Sequence, residues 1–131
     1  MDKDLMNISA IEDFLRKKLY KNVSNNIFFG NEPETMQSSW TDFVVVDCSS
    51  SINDMRAYGR GTISILLYAN KNMSNGSKNR SVLNDLESKL NKVIEGNTDE
   101  HYTITKAGGM GDYNPTNKLY YNVVFITISV Y

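Results

Sequence analysis

The chain has 131 residues, 40% of them hydrophobic and 22% charged, and its 14 basic against 15 acidic side chains give a net charge of −1. That balance excludes compositional disorder and excludes a global field able to draw in nucleic acid or an anionic membrane. A chain of this length buries about 65–70% of the surface its unfolded form exposes, so a single domain is expected to fold without metal or disulfide staples.

The opening MDKDLMNISAIEDF is acidic and amphipathic and lacks the apolar core of a secretory leader, which predicts a soluble chain made in a cytoplasm. Without such a leader, none of the Asn-x-Ser matches at Asn7, Asn22, Asn72, Asn75 and Asn79 is read as a glycosylation site. ISAIEDFLRKKLY carries the first helical period. Ile8, Ile11, Leu15 and Leu19 recur at spacings of three and four and share one face. Ser9 followed by Glu12 fits a capping box, and Arg16, Lys17, Lys18 and Lys21 complement the dipole at the far end.

Ile27 to Phe29 reads as a brief strand between Asn and Gly, and the polar stretch from Gly30 to Ser39, with Pro33, as a loop. Phe43 to Val46 is a β-branched run suited to a buried strand. The lone cysteine, Cys48, has no disulfide partner in its own chain, in keeping with a reducing compartment. A long polar loop then reaches Gly59 and Gly61. In GTISILLYAN, Ile63, Ile65 and Leu67 alternate with Thr62, Ser64, Leu66 and Tyr68, the period of a strand with one fully apolar face.

After the turn residues KNMSNGSKN, a second helix is predicted over RSVLNDLESKLNKVIEG. Val82, Leu83, Leu86, Leu90, Val93 and Ile94 form its stripe, Asp85 and Lys89 stand one turn apart, and Gly96 sits where a left-handed cap belongs. HYTITKAG predicts a short strand. The glycines Gly108, Gly109 and Gly111 follow, then the long run NKLYYNVVFITISVY. Its apolar part is far too short to span a membrane as a helix. The last strand is expected to be central, with part of its length reaching beyond the domain.

The elements therefore run helix, strand, strand, strand, helix, strand, strand. Both helical stripes need an apolar surface to cover, and a sheet offers one. The expected fold is α+β: a two-layer sandwich, mainly antiparallel, with two helices packed on one face.

Chemistry is sparse. GGMGDYNPTNK has no Gly-Lys-Ser/Thr and leads into a strand, so neither a phosphate loop nor a dinucleotide fingerprint is predicted, and the glycines read as an elbow. His101 is the only histidine and reads as a surface residue; Cys48 reads as a structural thiol. A small hydrolase would have to pair Cys48 or Ser50 with His101. Asp47, Asp54, Asp112 and His101 show no metal-ligand spacing. No catalytic group, metal or cofactor is expected.

Arg56 and Arg60 flank Tyr58 in DMRAYGRG, and Lys71, Lys78, Arg80, Lys106 and Lys118 also read as loop cations, an arrangement open to a nucleic-acid adaptor. Binding to other proteins accounts for more. The stretches 30–40, 47–61 and 106–118 read as loops rich in Met36, Trp40, Ile52, Met55, Tyr58, Met110 and Tyr113, side chains costly to leave in water. The terminal strand adds an edge for pairing with a neighbour.

Taken in order, ISAIEDFLRKKL, FVVVD, GRGTISILLYAN, SVLNDLESKLNKVIEG and YTITKAGGMGDYNPTNKLYYNVVFITISVY resemble the tail-terminator, or tail-completion, proteins of tailed bacteriophages across nearly the whole chain. The resemblance implies a structural virion protein assembled in the host cytoplasm and no enzyme. Its subunits would form a ring, usually of six copies, that caps the tail tube and joins it to head-completion or connector proteins. The genome would pass through the ring without sequence-specific contact, and no membrane would take part. Met55, Arg56, Tyr58, Arg60, Met110 and Tyr113 would then lie on loops projecting from the ring. A different head-to-tail connector ring is the nearest alternative.

Overall fold

The computed structural model describes residues 8–48 and 60–130, which form two helices and one five-stranded sheet. In chain order the elements are α1 (Ile8–Leu19), β1 (Ile27–Phe29), β2 (Asp42–Asp47), β3 (Arg60–Ala69), α2 (Arg80–Glu95), β4 (Tyr102–Asn114) and β5 (Leu119–Val130). The sheet order is β1-β2-β3-β5-β4. β1 runs parallel to β2 and every other pairing is antiparallel, so the sheet is mixed.

The two helices cover one face, as their stripes require. Ile11, Phe14, Leu15 and Leu19 of α1 and Leu86 and Leu90 of α2 meet Val44, Val46, Ile63, Ile65, Leu67, Val124, Ile126 and Ile128 from alternate positions of the strands. Phe14 takes a central place in this layer, stacked on Tyr102 at 4.6 Å, whereas Ile8 lies at the margin and stays 37% exposed. The Asp85–Lys89 pair forms at 2.9 Å on the open side of α2.

Two helix ends differ from expectation. Ser9 lies inside the first turn of α1, so it is not the residue that caps it. Gly96 closes α2 in a right-handed conformation, φ −91°, with its N–H on the Lys92 carbonyl at 2.9 Å. That bond continues the helical pattern and needs no left-handed residue.

The other face carries a second, aromatic layer. Phe43, Tyr68 and Tyr121 occupy one row across β2, β3 and β5, with ring centroids 4.5 and 5.0 Å apart. The segment 30–41 crosses this face because parallel strands need a connection of about a dozen residues. Met36 and Trp40 pack there with Phe28, Phe43 and Leu66. These two residues are therefore part of the packing, not free contact groups. Tyr68 fastens the layer: its hydroxyl donates to Glu32 at 2.9 Å and accepts from the Asn114 amide at 3.1 Å. Burial, with Glu32 adding to it, pushes that phenol well above its ordinary value.

Candidate functional site

The three glycines are not an elbow. β4 continues through Gly108, Gly109 and Gly111, paired with β5 from Tyr102 opposite Val130 to Asn114 opposite Leu119. The register shifts once, between Lys106 and Gly108, which marks a bulge at Ala107. The turn comes at 115–118. There Lys118 adopts φ 60°, its N–H bonds to the Asn114 carbonyl at 2.8 Å, and the Asn114 side chain accepts from the Thr116 N–H at 2.9 Å.

Close packing explains two of the glycines. A Cβ on Gly109 would stand 3.1 Å from the Val123 carbonyl oxygen and 3.9 Å from a Glu87 carboxylate oxygen. One on Gly111 would stand 2.6 Å from Lys78 Nζ. Both therefore face the helical side of the sheet, where Glu87 of α2 and Lys78 ahead of it lean over the strand.

β5 is interior, flanked by β3 and β4, so the open side of this hairpin belongs to β4, the long edge of the sheet, with the three-residue β1 forming the other edge. Nothing of the described length of β5 projects unpaired, contrary to the expectation that it reaches beyond the domain and offers the edge. The physical reason is the hairpin: the short turn at 115–118 folds β4 back along the whole of β5.

Which backbone groups face outward can be read from the ends of β4. The Tyr102 N–H bonds to Asp99 Oδ1 at 3.0 Å and its carbonyl accepts from Asn97 Nδ2 at 3.0 Å, so Tyr102 turns away from β5. At the other end the Tyr113 N–H bonds to Asp112 Oδ1 at 2.7 Å. Antiparallel alternation, advanced one place by the bulge, then turns Ile104, Lys106, Gly109 and Gly111 outward as well. Asx-type bonds thus cap both ends of the edge and leave its middle open among the described residues.

The expected interface residues fall in different places. Met55, Arg56 and Tyr58, like Ile52, Ser50 and Asp54, lie outside the described residues. Arg60 begins β3 in a row with Ser129 and Thr103, and Met110 lies in the row of Val45, Leu66 and Val123. Six positions along β5 separate those rows, about 20 Å of strand, so Arg60 and Met110 do not converge. Met110 and Tyr113 share the β4 edge instead of a loop, on opposite faces of the sheet and 55% and 40% exposed. Tyr113 rests against Tyr120, with centroids 4.8 Å apart. Lys106 likewise belongs to the strand.

Cys48 is buried, and desolvation, with Glu12 and Asp47 adding to it, pushes its thiol up to about 12, so it stays protonated at neutral pH. His101 is exposed just before β4. The row of Asp47, beside Cys48, meets β5 at Phe125, whereas Tyr102, beside His101, meets it at Val130. The two residues are not brought together. Among the described residues no group of three or more His, Cys, Asp or Glu side chains could hold a metal ion. No helix among them is long and apolar enough to cross a membrane.

A polar cleft of about 410 Å³ opens beside the start of β2, lined by Lys21, Ser24, Asn26, Trp40, Asp42 and Lys89 among others. Its polar groups largely satisfy one another: Ser24 Oγ donates to Asp42 Oδ1 at 2.6 Å, and Asn26 Nδ2 donates to the Asp42 carbonyl at 3.0 Å.

No family model matches the chain, and no curated protein matches it in sequence. The periodicity of β4 alone does not reveal its open edge. The even spacing of Tyr102, Ile104 and Lys106 marks the start of the strand and is broken by the bulge before the glycines.

Proposed function

We propose that this protein is an assembly subunit that works by adhesion to copies of itself and to neighbours, and that its place is the tail terminator of a tailed bacteriophage. The observation that carries the adhesive part is the open β4 edge, with Met110 and Tyr113 exposed along it and backbone groups facing outward between its capped ends. A subunit of this kind needs a stiff platform. The sheet provides one, packed by helices on one side and by the 30–41 segment on the other.

The phage assignment rests on the order of parts: an amphipathic helix, two strands up to FVVVD, a strand, a second helix and a long hairpin. In that role the subunits pack head to tail, and the ring closes where the rotation between neighbours allows it. A net charge of −1 is compatible with close packing of identical copies.

The deciding experiment removes the protein from an infection. Loss of the gene product is expected to leave filled heads and tails unjoined, with joining restored when the purified protein is added back. Virions that form normally without it would overturn the assignment. Imaging of labelled protein at the head–tail junction separates a terminator on the tail tube from a connector ring on the head.

A further inference from the structure

Lysine and a bulge are devices that blunt a sheet edge against arbitrary strands, and β4 has both, in Lys106 and Ala107. A bulge on an open edge still fits one kind of strand, namely one that carries the same irregularity running the opposite way. The strand that meets this condition is β4 of a second copy.

We infer that two copies pair edge to edge through β4, antiparallel, with Lys106 opposite Gly109 of the second copy and Ile104 opposite Gly111 of the second copy. The outward set Ile104, Lys106, Gly109 and Gly111 maps onto itself in this register, so each outward N–H faces an outward carbonyl of the residue opposite it in the second copy. The same register sets Tyr102 opposite Tyr113, Thr103 opposite Asp112 and Thr105 opposite Met110 of the second copy. Every pair lies on a common face, because the two bulges cancel. Shifting the register by one position breaks this match on both faces.

Side-chain size and charge agree with the backbone. The half of β4 before the bulge bears Ile104 and Lys106 toward the helical side, and the half after it bears Gly109 and Gly111 there. Antiparallel pairing lays the Ile104–Lys106 half of each copy along the glycine half of the other, where Lys78 and Glu87 of that copy lean over the strand. Glu87, whose carboxylate stands 3.9 Å from the Cβ position of Gly109, then lies beside the Lys106 ammonium of the second copy. Symmetry gives that attraction twice. Thr103 donates to Asp112 of the second copy on the outer face.

Such a pair closes on itself around a two-fold axis. It rests on the same β4 edge as the adhesive reading above, so it belongs to the free protein and gives way when the subunits pack head to tail.

The test uses the full chain in solution. Sedimentation equilibrium is expected to show a dimer for the wild type and a monomer at the same concentration for T105K/M110K, which sets two like charges on each outer rung. T105K/M110E, with opposite charges on those rungs, is expected to restore the dimer. Thr105 and Met110 are exposed, so these changes leave the core intact. A mixture of Thr105→Cys and Met110→Cys proteins is expected to give a disulfide-linked heterodimer on mild oxidation, and neither protein alone is. A monomeric wild type overturns the inference, as does an oligomer of any size that ignores both charge variants and forms no mixed disulfide.

Discussion

Gly111 and Lys78 share one space: a Cβ on the glycine would stand 2.6 Å from the lysine Nζ. Gly109 is hemmed in by a firmer neighbour, the Val123 carbonyl oxygen at 3.1 Å, which belongs to the sheet backbone. The two glycines should answer differently to alanine. Lys78 ends a flexible chain and can swing aside, so Gly111→Ala is expected within about 0.5 kcal/mol of wild type. Gly109→Ala pushes on the ladder and should cost about 1 kcal/mol. Urea denaturation of the two variants, side by side, checks the order.

Tyr68→Phe keeps the stack on Phe43 but leaves the Glu32 carboxylate and the Asn114 amide without their shared partner. The expected loss is about 1–3 kcal/mol, the cost of stranding half-buried polar groups. Hydrogen exchange should quicken across 30–41 and at the 115–118 turn while the helices keep their protection. Uniform quickening would argue against the Tyr68 hydroxyl as a local tie.

The 30–41 segment carries the only tryptophan, Trp40, tilted against Phe28 at 5.5 Å and Phe43 at 6.3 Å. Its emission should therefore report the docking of that segment. Tyr68→Phe is expected to shift the emission to longer wavelength before global unfolding. Trp40→Ala should cost about 2 kcal/mol, less than for a fully buried tryptophan, because the ring is only half covered.

Cys48 sets an alkaline limit. Folded, it keeps its proton up to about pH 12, whereas an unperturbed thiol releases it near 9. Burial of the neutral thiol therefore contributes fully below pH 9, and the contribution is lost as pH rises from 9 toward 12. Stability measured between pH 8 and 10 should fall for the wild type and fall less for Cys48→Ala. Tyr68, raised from 10, adds its own decline only above that range. A thiol reagent at neutral pH should find the native protein inert and the unfolded chain reactive; rapid labelling of native protein would contradict the burial.

The sequence by itself determined the local elements and the layer they build. Helical and strand periods are properties of neighbouring residues, so Leu83, Leu86 and Leu90 announce a face of α2, and Ile63, Ile65 and Leu67 announce a face of β3. Two apolar stripes then require a sheet, and the α+β sandwich follows. Glycine is different, because it serves equally a turn and a close approach. Only the presence of β5 along β4, with Lys78 and Glu87 leaning over it, decides that Gly109 and Gly111 belong to a strand. The same holds for Met36 and Trp40, whose segment meets an aromatic face built by residues far along the chain. Which strand of the hairpin keeps an open edge is likewise settled by pairing between distant segments, and that non-local choice puts the edge on β4 and not on the last strand.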